Sequence, residues 1–402
     1  MNTPVTCSDQ YTRYPYPEPG EDLPAWLQSF NYDAYDPGIY AALFWPEGRP
    51  KGDLNILVAG CGSMQAAVIA YKSPECRVTG IDFSPTSIAH EERLRDRHKL
   101  KNLALETMNL IDAPNLGQRF DLIICSGVVH HLPDPGQGVR ALASVLEGSH
   151  GALVMMLYGR LGRIGIYPLQ DAFRRLKVPQ SPEGVQTVRS IVKRLPPYHP
   201  GRRYFEYSPE MDSDSAIVDT FLHPQDMAFQ VHEVLELIEA NGLRFQSWLD
   251  TGLYNSGYDH VTAHVSDRDR WSIVESLAWN ITTHHFLACK PERDRRSEIA
   301  FVGDAWLAYV PQRRPTIQAS AFEANKFGRD GVEFSLSPME AVLFVEANGR
   351  RTAADILRHK ALASLSIDKR KEFAREFYGR MWRLGHMFFS LVPLSRPAPN
   401  DR

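Results

Sequence analysis

Two glycines and one aspartate have the residue types and the spacing of a site for a nucleoside-containing cofactor. Gly60 and Gly62 stand directly after an apolar run, in the stretch AGCGSMQ, and Asp82 lies 20 residues beyond Gly62. Glycine lets the backbone turn sharply and approach a ligand, and a helix that begins there offers free N–H groups. An aspartate that ends the next strand can accept hydrogen bonds from both ribose hydroxyls. The spacing therefore predicts an adenosine pocket.

The glycine turn by itself leaves two other interpretations open. An NAD-dependent oxidoreductase uses the same turn and the same acidic ribose ligand, although Gln65 replaces the third glycine of its GxGxxG motif. Alternatively, the glycines form a plain structural turn, and Asp82 caps the helix predicted over residues 84–97.

The elements that must position this pocket alternate regularly from Leu54 onward. Apolar runs are separated by amphipathic helical segments, which is typical of a parallel sheet covered on both faces. Five such runs cover 54–60, 77–82, 103–110, 120–128 and 151–158. Two later strands, 243–250 and 284–290, complete a predicted seven-stranded sheet after a helix closed by Gly242.

Four segments resemble motifs one to four of the class I S-adenosylmethionine-dependent methyltransferases. They are VAGCGSMQAAVIA, VTGIDFSPTSIAHEERL, ETMNLID and FDLIICSGVVHHLPDP, and the similarity covers about residues 54–160. The resemblance implies an α/β, Rossmann-like methyltransferase sheet with helical insertions. It also implies S-adenosylmethionine as cofactor and S-adenosylhomocysteine as product. Ala59 and Met64 stand where most of the family has an acidic residue and a third glycine.

The resemblance also implies which residues hold the cofactor. Gly60 and Gly62 would pass under the methionyl part, Asp82 would bind the ribose, and Phe83 would lie against the adenine. Asn109 or Asp112 would meet the adenine amino group, and Ser126, Val128 or Gln65 would supply the contact that Ala59 cannot make. The complete predicted set is Ala59, Gly60, Cys61, Gly62, Gln65, Asp82, Phe83, Asn109, Leu110, Ser126, Gly127 and Val128.

His130 and His131 are the predicted catalytic residues. They follow the fourth strand, whose carboxyl end borders the crevice where an open α/β sheet binds ligands. A histidine there would take a proton from the methyl acceptor, because its pKa lies near neutral pH. The alternative is that both histidines only orient the loop. Methyl transfer itself needs no covalent enzyme intermediate, since the protein has to hold the acceptor in line with the methyl group.

The methyl acceptor is predicted to bind between the insertion after the fifth strand and the aromatic amino-terminal segment. Arginines in the insertion would clamp a carboxylate or a phosphate, unless they are solvated surface charges. The candidates are Tyr14, Tyr16, Tyr158, Arg160, Arg163 and Tyr167.

Three domains are predicted. An aromatic cap covers 1–50, a methyltransferase domain with insertions at about 159–225 and 252–281 covers 51–292, and an accessory domain covers 299–402. The accessory domain is predicted to be small and mostly α, with Ser337 and Thr352 as helix caps. It resembles winged-helix or peptide-recognition modules. Its basic tail would face a peptide, an acidic protein or nucleic acid, or would simply be solvated.

Composition narrows the remaining possibilities. The net charge of −3 argues against unselective attraction to nucleic acid or to an anionic membrane. The five cysteines lack CxxC spacing, and neighbouring histidines of a strand point to opposite faces, so no disulfide framework and no metal site is predicted. No secretory signal and no apolar stretch of about 18 residues occurs, which predicts a cytoplasmic protein without membrane insertion.

We therefore expect methyl transfer to an O, N or C nucleophile of a small molecule or of a peptide or protein, with a homodimer left open. Two alternatives remain at this level. One is the NAD-dependent oxidoreductase, against which the HHLPDP loop counts. The other is a non-catalytic protein that binds S-adenosylmethionine or a partner, which Ala59 favours.

Overall fold

The computed structural model divides the chain into two compact units. It describes residues 7–16, 20–29, 35–255, 257–262, 264–320, 323–329 and 331–393. The first unit comprises 1–34, 52–245 and 275–292, and the second comprises 35–51, 246–274 and 293–402. These boundaries differ from the predicted domains, because 35–51 and 246–274 group with the carboxy-terminal part of the chain.

A seven-stranded sheet, most of which lies in the first unit, confirms the predicted fold. Its order is β3-β2-β1-β4-β5-β7-β6. The strands are β1 (Asn55–Ala59), β2 (Arg77–Asp82), β3 (Leu103–Thr107), β4 (Leu122–Ser126), β5 (Ala152–Tyr158), β6 (Arg244–Trp248) and β7 (Thr283–Cys289).

Burial and register explain the sheet. The central strand β1 contributes four consecutive buried residues, as expected for a strand covered on both faces. It pairs in parallel with β2 on one side and β4 on the other, whereas β5 pairs antiparallel with β7. The strand order therefore reverses between β1 and β4. A crevice for a ligand opens at such a point, outside the carboxyl ends of the strands.

Sixteen helices are assigned within the described residues. In chain order they are α1 (Cys7–Arg13), α2 (Leu23–Ser29), α3 (Ala41–Phe44), α4 (Gln65–Lys72), α5 (Pro85–His98), α6 (Pro135–Val145), α7 (Tyr167–Arg175), α8 (Pro182–Arg194), α9 (Pro200–Tyr207), α10 (Asp214–Phe221), α11 (Val231–Ala240), α12 (Asp259–Thr262), α13 (Asp267–Ala278), α14 (Pro338–Glu346), α15 (Ala353–Ile356) and α16 (Ile367–Arg383).

The insertion after β5 folds into a helical layer with its own apolar core. Side chains of α7, α8 and α10 form this core, and Phe173, Val188 and Ile217 are among its fully buried members. Tyr14 and Tyr16 of the amino-terminal segment pack against the same cluster. This core therefore fixes the orientation of α10.

The second unit combines short helices with small antiparallel sheets. Strands β8 (Val310–Arg313), β9 (Gln318–Ala319), β10 (Lys326–Arg329), β11 (Val332–Ser335) and β12 (Met387–Ser390) form a three-stranded sheet, β11-β10-β9, and a pair, β12-β8. Ser337 and Thr352 cap α14 and α15 through their hydroxyls, as predicted. The resemblance of this part to winged-helix modules stays a prediction. None of the helices described is both long enough and apolar enough to cross a bilayer.

Candidate active site

The turn after β1 requires both of its glycines. Gly60 and Gly62 adopt φ angles of 72° and 58°, in the left-handed region that favours glycine. A Cβ atom on Gly60 would lie 2.3 Å from Cγ2 of Val128, which is closer than atoms can approach. The end of β1 and the segment after β4 are thus in contact at the strand reversal, where the cofactor was predicted.

Asp82 ties this turn to the end of β2. Its Oδ2 accepts a hydrogen bond from the Gly62 N–H at 2.9 Å, and its Oδ1 accepts one from the Ser84 N–H at 2.8 Å. Burial raises the pKa of the carboxyl, while the two N–H donors act in the opposite direction. Each carboxylate oxygen has a second lone pair. Asp82 therefore shapes the turn and can still accept hydrogen bonds from a ribose.

A second buried carboxylate, which the sequence did not reveal, supports helix α4 beside the turn. Glu91 of α5 is fully buried, and its two oxygens accept the N–H groups of Ala66 and Ala67 at 2.9 and 2.8 Å. Burial raises the pKa of Glu91 to about 8. Glu91 thus satisfies two donors of the first turn of α4 that would otherwise have no intrahelical partner.

The other predicted cofactor residues line the same edge of the sheet. Asn109 accepts a hydrogen bond from the Ile111 N–H at 3.1 Å and caps a short 3₁₀ turn that begins with the buried Leu110. The Phe83 ring lies 6.1 Å from the ring of Tyr11 in α1. Ala59 and Cys61 are buried, Gln65 begins α4, and Ser126, Gly127 and Val128 end or follow β4.

The two predicted catalytic histidines have different environments. His130 is fully buried, and its ring stacks on Tyr158 with the ring centroids 3.8 Å apart. Within the described part of the chain, neither ring nitrogen of His130 has a hydrogen-bond partner. Burial lowers the pKa of His130 well below its ordinary value. His130 is therefore a neutral packing residue in this structure.

His131 can accept a proton at Nε2. Its Nδ1 lies 3.0 Å from the carbonyl oxygen of Gln225, so Nδ1 must carry the hydrogen and Nε2 keeps a lone pair. Burial lowers the pKa of His131, while the charge of Asp219 partly offsets this effect. The ring is therefore neutral near pH 7, and a carboxylate stands close by to stabilise the protonated form.

Asp219 is the centre of a hydrogen-bond network that the sequence analysis missed. This buried carboxylate of α10 accepts hydrogen bonds from the hydroxyls of Tyr158 and Tyr11, both at 3.0 Å, and from the Gln10 amide at 3.4 Å. His223 follows the same helix, and its ring stacks on His131 with the centroids 4.0 Å apart. One signal was available: Asp219 is the only charged residue in the apolar run AIVDTFL, where a charge is rare without a partner.

His131, Asp219 and His223 are residue types that bind metals, and one ligand atom from each lies within 4.8 Å of the others. The two imidazoles, however, are stacked with an angle of 26° between their planes, so their lone pairs run side by side instead of meeting at one point. Nδ1 of His223 also accepts the Gln225 N–H at 3.1 Å, which leaves a hydrogen on its Nε2. The arrangement suits proton transfer better than metal binding, which needs ligand atoms about 2.0–2.1 Å from one ion.

The two predicted arginines also differ. Arg160 donates to the carbonyl of Ala228 and forms an ion pair with Glu233 at 2.9 Å, so it joins two segments of the fold. Arg163 is buried, and its guanidinium carbon lies 3.6 Å from the centroid of Tyr158. His130 and Arg163 both lie within stacking distance of this ring and must therefore occupy opposite faces of it.

Two of the predicted tyrosines, Tyr158 and Tyr167, lie beside Arg163, and a third, Tyr16, is linked to it through Glu210 and Tyr204. The hydroxyl of Tyr16 donates to Glu210 at 3.3 Å, and the hydroxyl of Tyr204 donates to the same carboxylate at 3.3 Å. Tyr167 begins α7 and is half-buried, as are Tyr14 and Tyr16. Tyr204 was not predicted, because nothing in its sequence neighbourhood indicates which face of α9 turns inward.

Comparison with known proteins identifies the domain that carries this site. Residues 57–148 match the family described as "Methyltransferase domain". An uncharacterized protein of Synechococcus sp. is 32% identical over 270 residues, which are 65% of this chain and 60% of that protein. The chain thus spans about 60% of the length of this curated relative.

Two solved structures of PKMT2 from Rickettsia typhi share the fold. The one in complex with AdoHcy has a TM-score of 0.63 at 15% identity and covers 89% of this chain and 75% of its own. The second has a TM-score of 0.65 at 15% identity, with 90% and 76% covered. The family match identifies residues 57–148 as a methyltransferase domain, and the shared sheet confirms the predicted Rossmann-like fold.

Proposed function

We propose that this chain, which carries a class I S-adenosylmethionine-dependent methyltransferase domain, transfers the methyl group to an acceptor held beside His131. One observation carries the proposal. At the reversal of strand order, Asp82 fixes the glycine turn through the Gly62 N–H and keeps acceptor capacity on both oxygens. A backbone cradle without Cβ atoms beside a carboxylate is what an adenosine-containing cofactor requires.

The residues present fit the cofactor. The Gly60–Gly62 turn would carry the methionyl part along a backbone in the left-handed conformation, and the Asp82 carboxylate suits the ribose hydroxyls. When bound, S-adenosylmethionine supplies an electrophilic methyl group on a sulfonium. The chain then has to hold the acceptor in line with that group and to keep water out.

His131 can accept the proton that the methyl acceptor loses. A hydroxyl or ammonium acceptor must lose a proton, and Nε2 of His131 is the free base whose tautomer the Gln225 carbonyl fixes. Protonation of His131 would be stabilised by Asp219, which the hydroxyls of Tyr158 and Tyr11 hold in place. This division of work supports His131 as the base and His130 as a packing residue. It also favours an oxygen or nitrogen nucleophile, because these lose a proton readily.

Calorimetry with the full chain tests the cofactor and separates the alternatives. We expect S-adenosylhomocysteine to bind and NAD to show no heat of binding. Binding of NAD without S-adenosylhomocysteine would establish the oxidoreductase instead.

Transfer of label from S-adenosylmethionine carrying a radioactive methyl group tests the activity. The protein is incubated with the small-molecule and protein fractions of an extract of the source organism, separately. We expect label in one of the fractions and strongly reduced label with Asp82→Ala, because weaker cofactor binding lowers the occupancy of the site. Tight cofactor binding without transfer into either fraction would favour the non-catalytic alternative.

A further inference from the structure

Among the residues that the structure describes, the guanidinium of Arg163 is a buried charge without a counter-ion. The residue is 2% exposed, and its Nη1 donates a hydrogen bond to the hydroxyl of Tyr204 at 3.1 Å. Its Nε and Nη2 have no partner among the residues that the structure describes. In that same part of the chain, no carboxylate forms an ion pair with it. Buried charges are normally paired, so this exception indicates a missing partner.

The carboxylates around Arg163 are separated from it by phenols. Tyr204 lies between Arg163 and Glu210, and Tyr158 lies between Arg163 and Asp219. The remaining acid nearby, Asp226, accepts a hydrogen bond from Gln170 at 3.1 Å. The stacking of Arg163 on Tyr158 stabilises the cation in part but provides no acceptor for the N–H groups of Nε and Nη2.

The two unpartnered nitrogens share one edge of the guanidinium. Nε and Nη2 present their N–H groups side by side, which is the geometry that binds both oxygens of a carboxylate. The neighbouring Tyr167 hydroxyl lies against the same guanidinium. Tyr16, Tyr167 and Tyr204 are only half-buried, so Arg163 lies one layer of aromatic side chains below the surface.

We propose that the Nε and Nη2 edge of Arg163 binds the carboxylate of the methyl acceptor and that this acceptor is a small aromatic carboxylate. The tyrosines provide flat apolar surface for the ring. Tyr158 contacts both Arg163 and His130, and it also donates to Asp219 next to His131, so the carboxylate site borders the proposed base. A carboxylate matches one bidentate edge, whereas a phosphate dianion would need more donors than are present. That the bound carboxylate belongs to the methyl acceptor rests on the proposed function, whereas the anion site itself does not depend on it.

Benzoate and its neutral isostere benzamide are suitable probes. Each is titrated by calorimetry into the full chain saturated with S-adenosylhomocysteine. We expect benzoate to bind at least about tenfold more tightly than benzamide. Arg163→Met, which keeps an unbranched apolar stem, should abolish this preference and leave S-adenosylhomocysteine binding unchanged. Arg160→Met is the matched control, because that arginine is already paired with Glu233; it should keep the preference for benzoate.

Thermal unfolding shows whether Arg163→Met is folded, and Arg163→Lys provides a second test if it is not. Lysine keeps the charge without the planar pair of donors, so it should weaken benzoate binding. Equal binding of the two probes to the wild-type protein, or undiminished benzoate binding by the folded variants, overturns the proposal. If the wild-type protein does not bind S-adenosylhomocysteine, the methyltransferase proposal is refuted instead. A preference for benzoate that depends on Arg163 would still establish the anion site in that case.

Discussion

The two ends of the pocket are built in different ways. At the cofactor end, Asp82 accepts hydrogen bonds from N–H groups at most 20 positions away, those of Gly62 and Ser84. At the acceptor end, His131, Tyr158 and Asp219 come from three distant segments, and His130 and Arg163 keep buried nitrogens without partners in the described chain. The polar groups of the cofactor end are thus satisfied within the protein, whereas the acceptor end contains buried nitrogens without hydrogen-bond partners among the described residues.

The largest expected effect is on turnover, at the acceptor end. His131→Asn keeps an N–H donor near the position of Nδ1 for the Gln225 carbonyl but removes the basic Nε2. We expect kcat for an O or N acceptor to fall by about 10²- to 10⁴-fold, the usual contribution of a general base, with unchanged S-adenosylhomocysteine affinity. Steady-state kinetics and calorimetry measure the two quantities.

His150→Asn is the matched control for this change. His150 also contacts an aspartate, Asp121, at 2.6 Å, but at the start of β4, the opposite end of that strand. Its kcat should equal that of the wild type. A kcat for His131→Asn within about twofold of the wild type would remove His131 from the mechanism.

The next effect is on affinity, at the cofactor end. Asp82→Ala removes the ribose ligand and leaves the Gly62 and Ser84 N–H groups without their acceptors. We expect a loss of roughly 1.5–3 kcal/mol in S-adenosylhomocysteine binding, the range for hydrogen bonds to a charged group. Calorimetry measures it, and Asp96→Ala, whose exposed carboxylate pairs with Arg95, should bind normally. Unchanged affinity of Asp82→Ala would contradict the cofactor geometry.

A smaller effect is expected in the pH dependence of kcat/KM. His131 must be neutral to accept a proton, and burial holds its pKa below the ordinary 6.5. Activity should therefore stay constant as the pH falls from 8 to about 6.5 and decline only at more acidic pH, where the ring becomes protonated. The pH profile of kcat/KM checks this, and the acidic limb should disappear in His131→Asn. A decline that begins above pH 7 would show that another group controls the activity.

A last expected effect concerns stability beside the glycine turn and leaves cofactor binding and turnover aside. The pKa of Glu91 is about 8 in the folded protein and 4.5 for an unperturbed side chain, so the folded state holds the proton more tightly. The free energy of unfolding should then fall as the pH rises from about 4.5 to about 8, with a slope of at most about 1.4 kcal/mol per pH unit from this group.

Urea unfolding at several pH values measures this slope. Glu91→Gln stays neutral and should flatten it, whereas Glu92→Gln changes only an exposed side chain near Arg95 and should leave it unaltered. Parallel curves for Glu91→Gln and the wild type would show that Glu91 is already ionised in the folded protein.

Much of the cofactor end and of the sheet follows from local sequence. The signals for them are short-range. They are apolar runs of strand length, two glycines in a turn with left-handed backbone conformation, and an aspartate at the end of the next strand. They predicted the seven strands and the crevice, because a parallel sheet brings the carboxyl ends of its strands to one edge. The role of Glu91 could not be predicted from local sequence, because it depends on how α5 packs against the start of α4.

The acceptor end was decided by tertiary structure. The motif HHLPDP named two histidines but not their roles, and only packing placed His130 on Tyr158 and left the Nε2 lone pair of His131 near Asp219. Asp219 lies 61 residues from Tyr158 and 208 from Tyr11, and no spacing rule relates such positions. The sequence by itself thus predicted the strands, the turn and the class of site, because the patterns that indicate them are local. The base and the unpaired Arg163 depend on how the insertion folds back over the sheet, and only the three-dimensional packing of α10 and its neighbours decides that.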